Sequence, residues 1–296
     1  MKIIGIDGGG TSTRFTLFDE NGTILHTVKK DSVHILNQEK ETCIQRLKDG
    51  VSSLDPSCEC VIAAGLAGYG QQEEVRHAIE DVCRQAFGTR RSAIYSDVEI
   101  AIAGALNGED GIVLIAGTGS IGEASVKGKL YRCGGWGFQL GDEGSGFWIA
   151  EKMFHVFVEE ADGRRGRTLL YNMIMDRLEL DHDYDIITKY MKIRQDRAET
   201  AKYAQLCYEA AKASDPAAIE VFQQAADELS HLAIALSKHF SSEQINVCLM
   251  GGICEHMKEL LVPELKQRLT PYHCVLSEPA HNAEYGAYLL GRKLYE

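Results

Sequence analysis

Apolar positions along the chain change period repeatedly, and the changes mark out elements. Residues 3–7 (IIGID) are apolar up to a final carboxylate, as in a buried strand. Three glycines and Thr-Ser-Thr follow. Residues 14–19 (RFTLFD) then alternate, with Phe15 and Leu17 on one side before Asp19. A turn at 20–22 (ENG) leads to a further strand at 23–28 (TILHTV). The Gly-rich loop thus joins strand to strand as a hairpin. Ile44, Leu47, Val51 and Leu54 recur at helical spacing, as do Val75, Ile79, Val82 and Ala86. Between them lies a strand that ends in glycines, 60–68 (CVIAAGLAG). Residues 92–97 (SAIYSD) form a short strand that delivers Asp97 at its end. The helix after it is stopped by NGEDG at 107–111.

The pattern then restarts. Residues 112–120 (IVLIAGTGS) are a strand running into a Gly/Thr/Ser loop, and 121–133 form a hairpin around Lys127-Gly128-Lys129. Residues 144–240 read as mostly helical. They include an amphipathic stretch at Leu169, Met173, Ile174 and Leu178. A long helix, opened by Ser214-Asp215-Pro216, carries Val221, Ala225, Leu229 and Leu232. Residues 245–253 (INVCLMGGI) are a strand leading into a glycine pair, and 283–294 a closing helix. Each half opens with strand, Gly/Thr loop and strand. The expectation is an α/β chain of two domains, 1–108 and 109–283, with 284–296 packing back on the first.

Composition narrows the partners. The chain has 296 residues, 45% hydrophobic and 25% charged, enough for a sizeable core. Lys+Arg 31 against Asp+Glu 43 leaves a net charge of -12. Nucleic acid and anionic membrane both need a basic surface, so neither is expected as a partner. A nucleotide remains open, because local amides and a metal can hold a small anion against an unfavourable global field. No apolar run reaches membrane length. Nine scattered cysteines, an odd number, and no secretory leader point to reduced thiols in a cytoplasm. Cys58 and Cys60 make a C-x-C pair with no second pair at zinc-ligand spacing.

Four stretches carry candidate chemistry. In the first loop, bare backbone at Gly9 and Gly10 can take positive φ and form an anion-binding nest, with hydroxyls from Thr11, Ser12 and Thr13. Asp7 would repel a phosphate, so its role there is to hold hydrated Mg²⁺. The alternative is a tight hairpin whose glycines serve only the turn. No G-x-x-x-x-G-K-[ST] occurs. A second phosphate-loop candidate is AGTGS at 116–120. Residues 134–150 (GGWGFQLGDEGSGFWIA) interleave glycines with Trp136 and Asp142-Glu143. Carboxylates beside an aromatic suit a sugar, whose hydroxyls they accept while the ring covers a C–H face. Equally, the tryptophan could plug the core and the acids cap a helix starting near Ser145. Asp97 stands at a strand end, where α/β folds place catalytic groups, or else serves as an N-cap. LMGGI at 249–253 could let adenine and ribose lie over bare backbone, or simply turn strand into helix.

Taken in order, DGGGTSTRFTLFD, Ser96-Asp97, AGTGS, GGWGFQLGDEGS and MGGI resemble the N-acetylglucosamine kinase-like and BadF/BadG/BcrA/BcrD ATPase group. That group lies within the actin/hexokinase/Hsp70 superfamily. The resemblance implies two ribonuclease-H-like (actin-like ATPase) domains with an interdomain ATP cleft holding ATP and Mg²⁺. It implies that Asp7 helps hold Mg²⁺ and that Gly9, Gly10, Thr11 and Thr13 face the β- and γ-phosphates. Gly117, Thr118 and Gly119 would form the second phosphate loop, with Ser120 near the sugar. Asp97 would be the general base, and Asp142 would hydrogen-bond the sugar in a pocket shaped by Gly135 and Trp136. Gly251 and Gly252 would pass under the adenosine.

The implied activity is ATP-dependent phosphorylation of an amino sugar such as N-acetylglucosamine, glucosamine or N-acetylmuramic acid, at O6. The helical second domain adds the expectation of a homodimer. Two positions depart from the animal kinases of the group, which carry asparagine in their place: Val33 in SVHIL, and Ile121 after the second loop. Nearby His34 is a substitute sugar contact. Two other readings use the same loops. One is an activator ATPase, whose iron–sulfur cluster would call on Cys133. The other is a sugar or nucleotide sensor without turnover.

Overall fold

The computed structural model describes residues 2–57, 59–70 and 72–295. Cys58, half of the C-x-C pair, lies outside them. The chain divides into two compact units, Met1–Glu109 with Pro279–Glu296, and Asp110–Glu278. Among the described residues, no helix is long and apolar enough to cross a membrane.

The first unit runs β1 (Ile3–Gly8), β2 (Ser12–Phe18), β3 (Ile24–Asp31), α1 (Lys40–Leu54), β4 (Val61–Leu66), α2 (Glu73–Phe87), β5 (Ser92–Ser96) and α3 (Asp97–Ala105). The closing helix, Ala283–Arg292, belongs to it as well. The sheet order is β3-β2-β1-β4-β5. The first three strands pair antiparallel, and β4 and β5 add in parallel. The faces of α1 and α2 bury Leu47 and Ile79 against Ile4, Ile6, Phe15 and Ile62.

The sheet's other face is also covered, which corrects the simple alternation expected of β2. Phe18, fully buried, packs with Ile3 against Tyr288 of the closing helix. The closing helix approaches so closely that a methyl group on Gly5 would lie 2.6 Å from the Glu284 carbonyl oxygen. A strand covered on both sides is apolar on both sides, and a period of two no longer shows.

The second unit runs β6 (Gly111–Ala116), β7 (Ser120–Val126), β8 (Lys129–Gly134), α4 (Gly146–Ala161), α5 (Leu169–Leu178), α6 (Asp185–Ile193), α7 (Arg197–Lys202), α8 (Ala204–Lys212), α9 (Pro216–Ser237), β9 (Ile245–Met250), α10 (Gly252–His256), α11 (Lys258–Leu269) and β10 (Cys274–Ser277). Its sheet order, β10-β9-β6-β7-β8, is the first unit's order read from the other edge. The directions repeat too: three antiparallel strands, then two parallel additions.

The duplication therefore extends to topology, and the register sharpens it. Gly8 pairs with Thr13 at the mouth of the first hairpin, and Ala116 pairs with Ser120 at the mouth of the second. One step back, Asp7 faces Arg14 in the first, but Ile115 faces Ile121 in the second. Lys127 and Gly128 turn the β7–β8 hairpin with φ of 51° and 76°, as a two-residue type I′ turn requires. α9 starts as its sequence suggests: Asp215 accepts from Ala218 N at 2.9 Å and Pro216 opens the helix. The same carboxylate also accepts from Leu170 N at 2.8 Å, tying α5 to α9.

Candidate functional site

In the first unit, the loop 9–12 leaves the sheet between Gly8 and Thr13, and Gly9 N donates to Ser12 O at 3.1 Å. Neither Gly9 nor Gly10 takes a left-handed φ, contrary to the expectation from their number. They are bare for space instead. A methyl group on Gly10 would meet nothing within 4 Å, and Thr11 beside it is exposed. Thr13 is placed differently from the other loop residues. It is fully buried, and its Oγ1 accepts from Val33 N at 3.1 Å, so it anchors the stem. Ser32 Oγ donates to Gly9 O at 2.9 Å from the same side.

Asp7 is the penultimate residue of β1, next to this loop. Its carboxyl is pushed up to about 6, first by burial and then by Glu284 and Asp97, against the opposing pull of Arg14. Asp97 begins α3 but does not cap it. Ser96 Oγ accepts from Glu99 N at 3.0 Å while Glu99 Oε2 accepts from Ser96 N at 2.7 Å, a complete capping box. The N-cap alternative for Asp97 is thereby corrected. Its carboxylate has one local backbone bond, from Val98 N at 3.0 Å.

Glu284 is the acidic residue that pattern reading passed over. It sits in the first turn of the closing helix, 2% exposed, and accepts from Arg14 Nη1 at 2.6 Å. A glutamate leading an apolar helical stripe was the available signal. Among the described residues no three His, Cys, Asp or Glu converge on a metal position. Asp7 with Asp97 in electrostatic reach offers instead the one- or two-carboxylate setting in which Mg²⁺ keeps its waters and leans on substrate phosphates. The donor set fits Mg²⁺ on those terms. His34 lies in this unit with Nδ1 buried and unpartnered. Val33 is packed in the core beside it, 7% exposed.

In the second unit, the loop 117–119 is closed by Gly117 N donating to Gly119 O at 2.9 Å. It is stitched to the start of α4 by Gly146 N to Gly117 O at 2.8 Å and Phe147 N to Thr118 O at 3.3 Å. Ser120 is 5% exposed and its Oγ donates to Glu143 O at 2.6 Å, so it braces this loop against the 134–146 segment. Gly251 has φ 93°, and a Cβ there would lie 2.6 Å from Ala116 O; only glycine lets β9 turn this close to β6. Gly117, Thr118 and Gly252 face a cavity of about 510 Å³ whose other wall includes Ala201, Lys202 and His256. Its volume is in the range of small-ligand sites.

The 134–146 segment is built on left-handed backbone at Gly134, Gly135, Gly137 and Gly144, with Asp142 at φ 63°. Trp136 is 72% exposed, and the Arg132 guanidinium stands 5.9 Å from its ring, so it plugs no core. Helix α4 is capped by Ser145, whose Oγ accepts from Trp148 N at 3.3 Å, so neither acid caps it. The reading of Asp142 as an acceptor open to hydroxyls also changes. Asp142 is 3% exposed, and its Oδ2 accepts from Arg197 Nη2 at 2.7 Å. Arg197, on α7, was not singled out by sequence; nothing at a distance of 55 residues signals the pairing. Ile121 packs on Gly135, its Cδ1 2.7 Å from where a Cβ would stand.

Duplicated sheets, each opening its central hairpin into a Gly/Thr loop, find their counterpart among known proteins. The sequence matches the BadF/BadG/BcrA/BcrD ATPase family over residues 4–291. The chain belongs to this family. One relative, glucosamine kinase GspK of Vibrio cholerae, is 32% identical over 271 residues, covering 89% of each chain. An N-acetylmuramic acid/N-acetylglucosamine kinase of Clostridium acetobutylicum is 31% identical over 267 residues, covering 87% of each. A crystal structure from Chromobacterium violaceum, provisionally assigned as an N-acetylglucosamine kinase, superposes with a TM-score of 0.70 at 29% identity and 98% coverage of both chains. Family membership thus extends over both units and all the loops described above.

Proposed function

We propose that the chain is an ATP-dependent kinase that transfers the γ-phosphate to O6 of an amino sugar. The carbohydrate-kinase part rests on curated relatives that phosphorylate glucosamine, N-acetylmuramic acid or N-acetylglucosamine and match nearly nine-tenths of the chain. The structural observation that carries the reading is the state of Asp97. The capping box relieves it of any capping duty and leaves a carboxylate beside Asp7 at the end of a strand.

In this reading Asp97 takes the proton of the attacking sugar hydroxyl. Backbone amides and hydroxyls at Gly9, Gly10 and Thr11, and at Gly117, Thr118 and Gly119, hold the phosphates, with Thr13 bracing the first loop. Adenosine lies over Gly251 and Gly252 in the cavity shared with Lys202 and His256. Mg²⁺ at Asp7, bound through water, supplies charge neutralisation on the phosphates. Exposed Trp136 covers a C–H face of the sugar, in the pocket that Gly135 helps to shape and Ser120 braces. His34, with its unpartnered Nδ1, supplies a sugar contact.

The choice of sugar follows from what the site lacks. Val33 and Ile121 offer no side-chain hydrogen bond, so discrimination against the N-acyl group is weak and glucosamine competes with its N-acetylated forms. The test is ADP release from Mg·ATP with N-acetylglucosamine, glucosamine, N-acetylmannosamine, N-acetylmuramic acid, glucose and no sugar. Sugar-dependent release that drops ~10²–10⁴-fold in kcat in Asp97→Asn is expected. Release independent of every sugar, or an Asp97→Asn variant with full rate, defeats the proposal.

A further inference from the structure

Arg197 occupies a position that none of the roles above uses. It opens α7, a short helix that is firmly pinned. Asp196 accepts from Ala198 N at 2.8 Å and Glu199 N at 3.1 Å. Fully buried Thr200 donates to Ile193 O at 3.0 Å and Asp196 O at 2.9 Å. One helical turn separates Arg197 from Ala201, so the two share a face. Ala201 lines the cavity with Gly117, and Arg197 lies on Gly119. Contact with Gly119 is close enough that a methyl group there would overlap Nη2.

Its hydrogen bonding is incomplete. Nη2 donates to Asp142 Oδ2, and Asp142 Oδ2 itself stands 2.7 Å from the Cβ position of Gly119. Nε is buried and has no acceptor. The side chain as a whole is 39% exposed, so its charge is in reach of water, but the buried Nε–H has neither water nor acceptor, and that is costly. A guanidinium carries five donors in a planar fork suited to tetrahedral oxyanions. A ligand oxygen at Nε would remove that cost.

Resting on the nucleotide reading above, we propose that Arg197 binds the phosphoryl group under transfer and that Asp142 is the positioning residue that aims it. The sugar hydroxyl oxygen forms a bond to the γ-phosphorus as the bond from that phosphorus to the β–γ bridging oxygen breaks. The hydroxyl proton goes to Asp97, and ADP leaves with the electron pair of the broken bond. Arg197 offsets the charge on the non-bridging oxygens, where a fixed cation acts more strongly than water does. Its place on the backbone of the second loop favours a phosphate over an acidic group on the sugar.

The experiment compares wild type, Arg197→Met, Arg197→Gln, Asp142→Asn and the Arg197→Met/Asp142→Asn double variant, with Mg·ATP and the best sugar. Arg197→Met is expected to lose roughly a hundredfold or more in kcat, the typical effect of deleting one oxyanion donor, with the sugar KM little changed; its melting temperature falls, because the buried Asp142 carboxylate loses its partner. In a further variant, Arg197→Ala, which leaves room for the missing group, added methylguanidine restores part of the rate, which a merely structural role would not allow. Asp142→Asn lowers kcat by itself and lowers it no further in the Arg197→Met background. Three results overturn the assignment: Arg197→Met at wild-type kcat, a loss confined to sugars that bear a carboxylate, or fully additive effects in the double variant. If Arg197→Met fails to fold, an Arg197→Gln variant that folds and keeps wild-type kcat overturns it equally. A wild-type chain inactive with every sugar defeats the kinase reading itself, a separate outcome.

Discussion

Glu284 Oε1 lies 2.6 Å from Arg14 Nη1, so the last helix of the chain is pinned to the second strand beside Asp7. The glutamate is almost wholly buried, while about half of the arginine side chain meets solvent. Removing the glutamate's charge releases a cation that water can still reach, so the cost is that of a charge-assisted hydrogen bond. Glu284→Gln should therefore lower stability by about 1.5–3 kcal/mol in urea titration. It should also bring down the Asp7 carboxyl, because Glu284 is the larger of the two like charges raising it. Carboxyl carbon shifts followed against pH in Mg²⁺-free buffer read that directly. An Asp7 titration unmoved in Glu284→Gln would break the link.

Asp7 itself predicts a stability profile. Its carboxyl titrates near 6 in the folded chain against an ordinary 3.8, so between those pH values the folded state holds the extra proton. Stability from this group is fully present below about pH 4 and is lost as pH rises toward 6. Without Mg²⁺, Asp7→Asn should melt higher than wild type at pH 7.5 and together with it near pH 4, yet turn over poorly with Mg·ATP. Melting curves that stay parallel at every pH would contradict the burial of that charge.

The glycines of the two loops should separate folding from ligand binding. Gly10→Ala meets open space at ordinary φ, so its stability should stay within about 0.5 kcal/mol of wild type. The added methyl intrudes where a phosphate would rest, and kcat/KM for ATP should fall at least ~10-fold, a difference of ~1.4 kcal/mol. Gly251→Ala should behave in the opposite sense, costing about 1–3 kcal/mol of stability through its left-handed φ and the crowding by Ala116. Equal effects of both substitutions on urea midpoints would refute this division.

Thiol reactivity should be uneven. Burial pushes Cys60, Cys83 and Cys254 up to about 12 and Cys248 up to about 11. Of the described cysteines, Cys133 alone is partly exposed, and burial followed by the charge of Glu143 raises it as well. In a Cys58→Ser background at pH 8, one thiol should react slowly and map to Cys133, the others only in denaturant. Rapid labelling at Cys83 or Cys207 would show that the cores open more readily than their packing indicates.

Element order was legible because most strands and helices keep a clean period. Ile44, Leu47, Val51 and Leu54 could only be one face of α1, and the Gly/Thr loops had to join strands because an alternating segment follows each. Much of what escaped depends on residues far apart in sequence. Phe18 is buried because a helix starting at residue 283 covers it. Ser96 takes the cap from Asp97 by a local rule, S-x-x-E, which the sequence does display and which should have settled that point. Asp142 looked open to a sugar because its partner, Arg197, arrives from a helix beyond three others. Short β10 gave no signal, since four residues, mostly partly exposed, carry no period.

The register match between the two hairpins has a consequence for how this chain tolerates change. Asp7 and Ile115 hold equivalent places in a repeated architecture, yet only the first carries a charge. At position 115, substitutions are filtered by fit alone, and a valine or leucine would pass. At position 7 the fold itself would accept an uncharged replacement, and on the proposed reading only the reaction objects. Two copies of one scaffold are thus under different kinds of selection at the same address, so the halves have ceased to be interchangeable while remaining superficially alike.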